Sequence, residues 1–206
     1  MPGKSLPALI LAGGKSSRMG QEKSLLWLGD NTILGHIVRR LTPQVSALYL
    51  NAPHEYPGAT ELHHLPDTLD GHLGPLAGIL SGLKHIEKAH PLQTHLLTVP
   101  SDSPFLPTDL ARKLMARMKE GTIVVATSAG RDHPVFGLWP VALADDLQKW
   151  LQNPMNRRIH DFLRRHPYVA VDFPLLDTTH GPLDPFLNIN TPDDFELAQA
   201  FAGELQ

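Results

Sequence analysis

Short apolar runs alternate along the chain with stretches in which apolar residues return every three or four positions. The runs predict strands at Ala8–Ala12, Ala47–Asn51, Glu61–Leu65, His95–Val99, Thr122–Ala126, Val135–Trp139, Tyr168–Asp172 and Phe186–Ile189. Leu9-Ile10-Leu11 and Leu96-Leu97-Thr98-Val99 do not alternate between apolar and polar, which marks central strands covered on both faces. Helical spacing links Ile33, Leu34, Ile37 and Leu41, then Leu76, Ile79, Leu80, Leu83 and Ile86. It returns in Leu110, Leu114 and Met118, and in Phe195, Leu197, Ala198 and Phe201. Pro107 and Pro192 stand where a first helical turn, which tolerates a missing N–H, would begin. This strand–helix order predicts an α/β fold, a mostly parallel twisted sheet with helices on both faces. Residues 132–172 are less regular and are expected to form an insertion beside the main sheet.

Composition narrows the chemistry. A chain of 206 residues suits one domain, expected to run over residues 1–206. Apolar residues at 42% and charged residues at 19% exclude wholesale disorder. A net charge of −3 leaves no footprint for nucleic acid. With no cysteine, disulfide scaffolds, thiolate zinc sites and cysteine nucleophiles are excluded together. No apolar run approaches the roughly 18–20 residues of a membrane span, and Pro7–Ala12 is too short for a signal-peptide core. A cytoplasmic address is expected. The 12 histidines show no metal-ligand spacing.

In α/β sheets ligands collect at the carboxyl ends of the strands. The loop after the first strand contains Gly13-Gly14-Lys15-Ser16-Ser17-Arg18 and reaches Lys23. Paired glycines let backbone N–H groups turn toward an anion, and Lys15, Arg18 and Lys23 add cations, so the loop reads as a phosphate cradle. It fits neither the P-loop nor G-x-G-x-x-G, and a mobile turn with solvated charges is the alternative. The loop Pro100-Ser101-Asp102-Ser103-Pro104 puts one carboxylate just past a central strand. That suits Mg²⁺, which takes one or two protein carboxylates with water and phosphate oxygens, although a turn-capping role explains Asp102 as well. Thr191 and Asp194 read as a helix cap, whereas Asn188 and Asn190 alternate along an extended segment and face one side of it.

Leu11-Ala12-Gly13-Gly14, Ser17-Arg18-Met19-Gly20 and Lys23 resemble the signature of NTP-transferase-like nucleotidyltransferases. The two glycines after Leu-Ala resemble the molybdenum cofactor guanylyltransferase branch. Gly74-Pro75-Leu76-Ala77-Gly78, Pro100–Pro104 and Asn188-Ile189-Asn190-Thr191-Pro192 are similar to further motifs of that branch, as is Arg131-Asp132-His133-Pro134. The resemblance implies a single Rossmann-like domain of the nucleotide-diphospho-sugar transferase type. It implies transfer of GMP from GTP to the terminal phosphate of molybdopterin or its molybdenum-loaded form, with release of pyrophosphate. By the same resemblance, backbone of Leu11, Ala12 and Gly13 would contact the nucleotide and Lys23 its phosphates. Asn51 and Asp67 would hold base or ribose, and Asp102 would bind nucleotide and Mg²⁺, or Mn²⁺ in its place. Mg²⁺ on Asp102, with Lys23 and Arg18, would stabilise charge in the transfer. Arg131, Asp132, His133, Asn188, Asn190 and the Arg157-Arg158 pair are candidates for the pterin side. Ser101 and Glu22 depart from the Cys and Asp common at those positions, without loss of a charge or ligand.

Three other functions compete: a cytidylyltransferase for the same cofactor, a sugar-phosphate nucleotidyltransferase, and a non-catalytic cofactor carrier. Gly13-Gly14 favours guanine, and Lys23 with Asp102 favours an enzyme over a carrier. Cofactor-insertion proteins or apoenzymes are the expected protein partners.

Overall fold

Seven strands make the main sheet of the computed structural model, which describes residues 6–12, 23–52, 62–69 and 74–205. They are β1 (Pro7–Leu11), β4 (Ala47–Asn51), β5 (His63–Leu65), β6 (His95–Pro100), β7 (Ile123–Ser128), β8 (Arg131–Pro140) and β9 (Tyr168–Asp172), numbered in chain order. Their spatial order is β5-β4-β1-β6-β8-β7-β9. Every pairing is parallel except those of β8, which runs antiparallel to both β6 and β7. Two small hairpins lie outside the sheet, β2 (Trp27–Leu28) with β3 (Asn31–Thr32), and β10 (Leu176–Thr178) with β11 (Gly181–Leu183).

The helices divide between the two faces. On one side α1 (Ile33–Leu41), α3 (Leu110–Met115) and α6 (Pro192–Ala200) join a core containing Ala8 and Ile10 of β1. On the other, α2 (Pro75–Ala89), α4 (Ala144–Leu151) and α5 (Ile159–Leu163) join a core containing Leu9 and Leu11. Successive β1 side chains feed opposite cores, which explains the run without alternation; burying each large one contributes about 1.5–3 kcal/mol. Helix α2 comes especially close to the sheet. A Cβ at Gly82 would lie 2.6 Å from Leu9 Cδ2 and from Leu96 Cδ2, so the ends of both leucine side chains would have to shift to admit one.

Several expectations need correction. Residues 132–172 are not simply an insertion beside the sheet: α4 and α5 lie against its face, but β8 and β9 are two of its strands. The irregularity has a local cause: the β7–β8 register shifts between Val125 and Ala126, so residues 134–136, beginning with a proline that has no N–H, bulge from the ladder. Phe186–Ile189 is not a strand. Leu187 N–H turns back to the Asp184 carbonyl at 3.0 Å, and Phe186 and Ile189 are buried anchors. Pro107 precedes α3 by a turn, its carbonyl accepting from Leu110 N–H at 3.2 Å, and α3 ends before Met118. Pro192 does open α6, behind a capping box formed by Thr191 and Asp194. Helices α4 and α5 were not expected. No helix among the described residues is long and apolar enough to cross a membrane.

Candidate functional site

The chain adds β4 and β5 on one side of β1 and then crosses to add β6 on the other, so the sheet switches direction of growth between β1 and β6. Their carboxyl ends are where a ligand crevice forms. Backbone bonds tie the strand ends together there: Ala12 N–H to the Asn51 carbonyl at 2.8 Å, and Ser101 N–H to the Leu11 carbonyl at 3.1 Å. Those groups of Leu11 and Ala12 are therefore committed to the fold. Gly13 and Arg18, named with them as candidates, lie outside the described residues, as do Lys15 and Glu22.

On the β4 side, Asn51 is 3% exposed, and its amide donates to the Leu65 carbonyl at 3.0 Å and to Asp67 Oδ1 at 2.9 Å. Asp67 itself is exposed. The two are thus brought together, but in unequal positions: Asn51 is buried and orients Asp67, which faces solvent. Gly78 of α2 makes room, since a Cβ there would stand 2.2 Å from Asn51 Oδ1. The loop is fixed to α2 by Thr68 N–H, which donates to Ser81 Oγ at 2.8 Å.

On the β6 side, Asp102 follows the strand directly. The fully buried Ser103 hydroxyl donates toward Asn188 Oδ1 and lies 3.3 Å from Asp102 Oδ1. Ile189 N–H donates to the Asp102 carbonyl at 2.9 Å, and Lys23 Nζ to the Asn190 carbonyl. Asp194 Oδ2 in turn accepts from Asn190 N–H at 2.9 Å and Thr191 N–H at 2.8 Å, which seats this segment on the cap of α6. Lys23, Asp102, Asn188 and Asn190 therefore converge, although Asn188 contributes its side chain and Asn190 its backbone.

Burial pushes the Asp102 carboxyl above its ordinary range, against weaker help for the ionised form from the Ser103 hydroxyl, its own backbone and Lys23. Among the described residues this half-buried carboxylate has few donors, a setting that a hard cation suits. Among the described residues no three His, Cys, Asp or Glu gather into a metal cluster. The donor set thus fits a magnesium-type ion held by one carboxylate, with water and phosphate oxygens completing its shell.

Because β8 is antiparallel, its first residues reach the same edge. His133 Nε2 is 2.8 Å from Ser128 Oγ, and Ser128 donates to Asp184 Oδ1 at 2.9 Å. The His133 ring packs on Phe186, centroids 4.8 Å apart, two residues before Asn188. Arg131 is exposed and its carbonyl accepts from the Thr127 hydroxyl at 2.8 Å; Asp132 Oδ2 lies 3.4 Å from the Tyr168 hydroxyl. Arg157 is occupied by the carbonyls of Leu151, Asn153 and Asn156, so it braces its own loop. Ser103, Ser128 and Asp184 were not among the sequence candidates. Ser103 adjoins the Asp102 motif, but Asp184 carries no local signal.

Residues 8–179 match the MobA-like NTP transferase domain. The chain is 47% identical over 203 residues to a molybdenum cofactor guanylyltransferase of Rhizobium rhizogenes, covering 98% of this chain and 94% of that protein. Among solved structures it is similar to molybdopterin-guanine dinucleotide biosynthesis protein A of Archaeoglobus fulgidus. There the TM-score is 0.73 at 20% identity, covering 97% of this chain and 100% of that one. It is also similar in fold to a manganese complex of Rv0371C from Mycobacterium tuberculosis, with a TM-score of 0.66 at 18% identity over 95% of this chain and 98% of that one. The match across the switch-point edge and beyond it puts this chain in the MobA-like NTP transferase family, with the molybdenum cofactor guanylyltransferases.

Proposed function

We propose that this chain transfers GMP from GTP to the terminal phosphate of molybdopterin, in its molybdenum-loaded form, giving molybdopterin guanine dinucleotide and pyrophosphate. The observation that carries the reading is the convergence of Lys23 and Asp102 at the carboxyl edge between β1 and β6, from segments far apart in the chain. High identity to a guanylyltransferase over nearly the whole chain supports guanine as the base.

A phosphate oxygen of the acceptor attacks the α-phosphorus of GTP; the new P–O bond forms as the bond to the β-phosphate oxygen breaks, and the electron pair leaves with pyrophosphate. The nucleophile is already anionic near neutral pH, so no side chain has to remove a proton. What remains is alignment and neutralisation of charge. Lys23 would bind the phosphates, its ammonium held at the edge by the Asn190 carbonyl. Asp67, oriented by Asn51, would hold base or ribose. Asp102 would hold Mg²⁺ or Mn²⁺, which when bound offsets charge on the transferring and leaving phosphates. Arg18 would add a second cation. GTP and molybdopterin are the small-molecule partners, cofactor-insertion proteins or apoenzymes would receive the product, and the reading puts the reaction in the cytoplasm.

The test is to incubate the purified chain with Mg²⁺, molybdopterin with and without its molybdenum, and either GTP or CTP, and to measure dinucleotide formation. GTP-dependent product is expected. Preference for CTP overturns the guanylyl reading, and no turnover with either overturns the transferase reading.

A further inference from the structure

His133 sits in an arrangement that a merely packed histidine does not need. The Ser128 hydroxyl is fully buried between two partners, His133 Nε2 at 2.8 Å and Asp184 Oδ1 at 2.9 Å. It has one proton to give. The carboxylate oxygen accepts that proton, so if Ser128 gave it to the histidine instead, two oxygens would face each other at 2.9 Å with no proton between them. The satisfied arrangement is Nε2–H of His133 to Ser128, and Ser128 O–H to Asp184. Asp184 is held for this by Phe186 N–H, which donates to the same Oδ1 at 2.9 Å. Nδ1 of His133 then carries the lone pair, and among the described residues nothing bonds to it.

The ring plane is fixed as well. Phe186 lies against it at 4.8 Å and in turn contacts Phe136 at 4.6 Å and Phe173 at 5.3 Å, centroid to centroid. Burial, the largest influence, holds the imidazole below its ordinary value of 6.5 despite the nearby Asp184 carboxylate, so the lone pair persists near neutral pH. Its place in the sheet order bears on which substrate it serves. Across the edge the order is Asn51 on β4, Asp102 after β6, then His133 on β8, so His133 lies on the flank of Asp102 opposite the Asn51–Asp67 pair.

Resting on the function proposed above, we infer that Ser128 and Asp184 are positioning residues that lock His133 with Nε2 protonated, so that Nδ1 accepts a hydrogen bond from the 2-amino-4-oxopyrimidine edge of the pterin. That edge presents an amide N–H beside an amino group, two donors that need acceptors. Guanine presents the same edge, so the assignment to the pterin rests on the flank and the experiment separates the two.

Two measurements on the full chain decide it. Nitrogen-15 NMR of histidine-labelled protein is expected to show His133 with a protonated Nε2 and an unprotonated Nδ1, and Ser128→Ala is expected to give a mixture of tautomers. A protonated Nδ1 in the unmodified chain overturns the inference. Calorimetric titration with molybdopterin and, separately, with GTP then compares the chain with His133→Gln, whose amide occupies the Nε2 position and leaves nothing at Nδ1. Molybdopterin affinity is expected to fall about tenfold, the worth of one buried hydrogen bond, with GTP affinity held within about twofold. A selective loss for GTP assigns the contact to guanine, and an equal loss for both reduces His133 to a structural role; either overturns the inference. Binding is read without turnover, so failure to make dinucleotide would sink the function while leaving this result to stand or fall by itself.

Discussion

Replacing Gly78 with alanine sets two effects against each other, and the structure says which is larger. Alanine in a helix interior is favoured over glycine by about 1 kcal/mol. The added Cβ, however, would stand 2.2 Å from Asn51 Oδ1, 2.6 Å from Leu11 Cδ2 and 2.9 Å from Asn51 Cγ. Asn51 is almost wholly buried and has nowhere to retreat without giving up its bonds to the Leu65 carbonyl and Asp67. Overpacking of this kind costs about 1–3 kcal/mol, and each hydrogen bond lost adds about 1 kcal/mol. With both Asn51 bonds lost, the net expectation is a chain less stable by about 2–4 kcal/mol, in which Asp67 has lost its orienting partner.

Denaturant unfolding measures the first consequence and steady-state kinetics the second. The KM for GTP is expected to rise about tenfold, with the KM for molybdopterin little changed, because only the β4 flank is disturbed. Gly82→Ala is the control. Its Cβ would press on Leu9 Cδ2 and Leu96 Cδ2, both in the interior, so stability should fall while neither KM moves. A Gly78→Ala chain about 1 kcal/mol more stable than the parent, with an unaltered KM for GTP, would refute the reasoning. It would mean that Asn51 relaxes freely and that its bonds do not orient the nucleotide side.

Three further outcomes are expected. Asp102→Asn should lower turnover by roughly a hundredfold or more without loss of stability, because a neutral amide escapes the desolvation that burdens the carboxylate; unchanged turnover would remove Asp102 from the site. His36, fully buried with Nε2 at 2.6 Å from the Leu28 carbonyl, is held below its ordinary 6.5 chiefly by burial. Its contribution to stability is full above pH 6.5 and is lost as pH falls from there through the lowered folded value, with a slope of up to about 1.4 kcal/mol per pH unit. His36→Gln, which can still donate to Leu28, should flatten that part of a stability–pH curve, and an unchanged slope would refute the assignment. Thr191→Ala should cost about 1 kcal/mol through loss of the bond at 3.1 Å to Asp194 N–H, and denaturant midpoints equal to the parent's would show the cap to be idle.

Where one segment carries its own signal, the sequence was enough. Ala47–Asn51 and Tyr168–Asp172 were bounded correctly because a compact apolar or alternating run is a local property. Asp102 was legible as a lone carboxylate after a strand with no polar alternation. Asn51 and Asp67 came from resemblance alone, since nothing local links residues whose bond depends on the β4–β5 pairing and on a glycine in α2. Phe186–Ile189 misled because buried apolar residues look alike whether they line a ladder or anchor a turn. Strand direction was beyond reach for a related reason: periodicity reports which faces are buried, and it is the same for a strand read either way.

That last gap matters most for function. Had β8 run parallel to β6, its first residues would lie at the far end of the sheet, and His133 would be remote from Asp102. Reversed, it delivers Arg131, Asp132 and His133 to the edge where β1, β4 and β6 end, on the opposite side of β6 from the nucleotide candidates. Strand β6 thus has a parallel neighbour on one side and an antiparallel neighbour on the other, with Asp102 at the end between them. A transfer between two phosphates needs two anionic ligands brought end to end with the shared charge placed where they meet. On the proposed function, Asp102 holding a cation at the junction of two differently built flanks would meet that requirement with no acid–base pair.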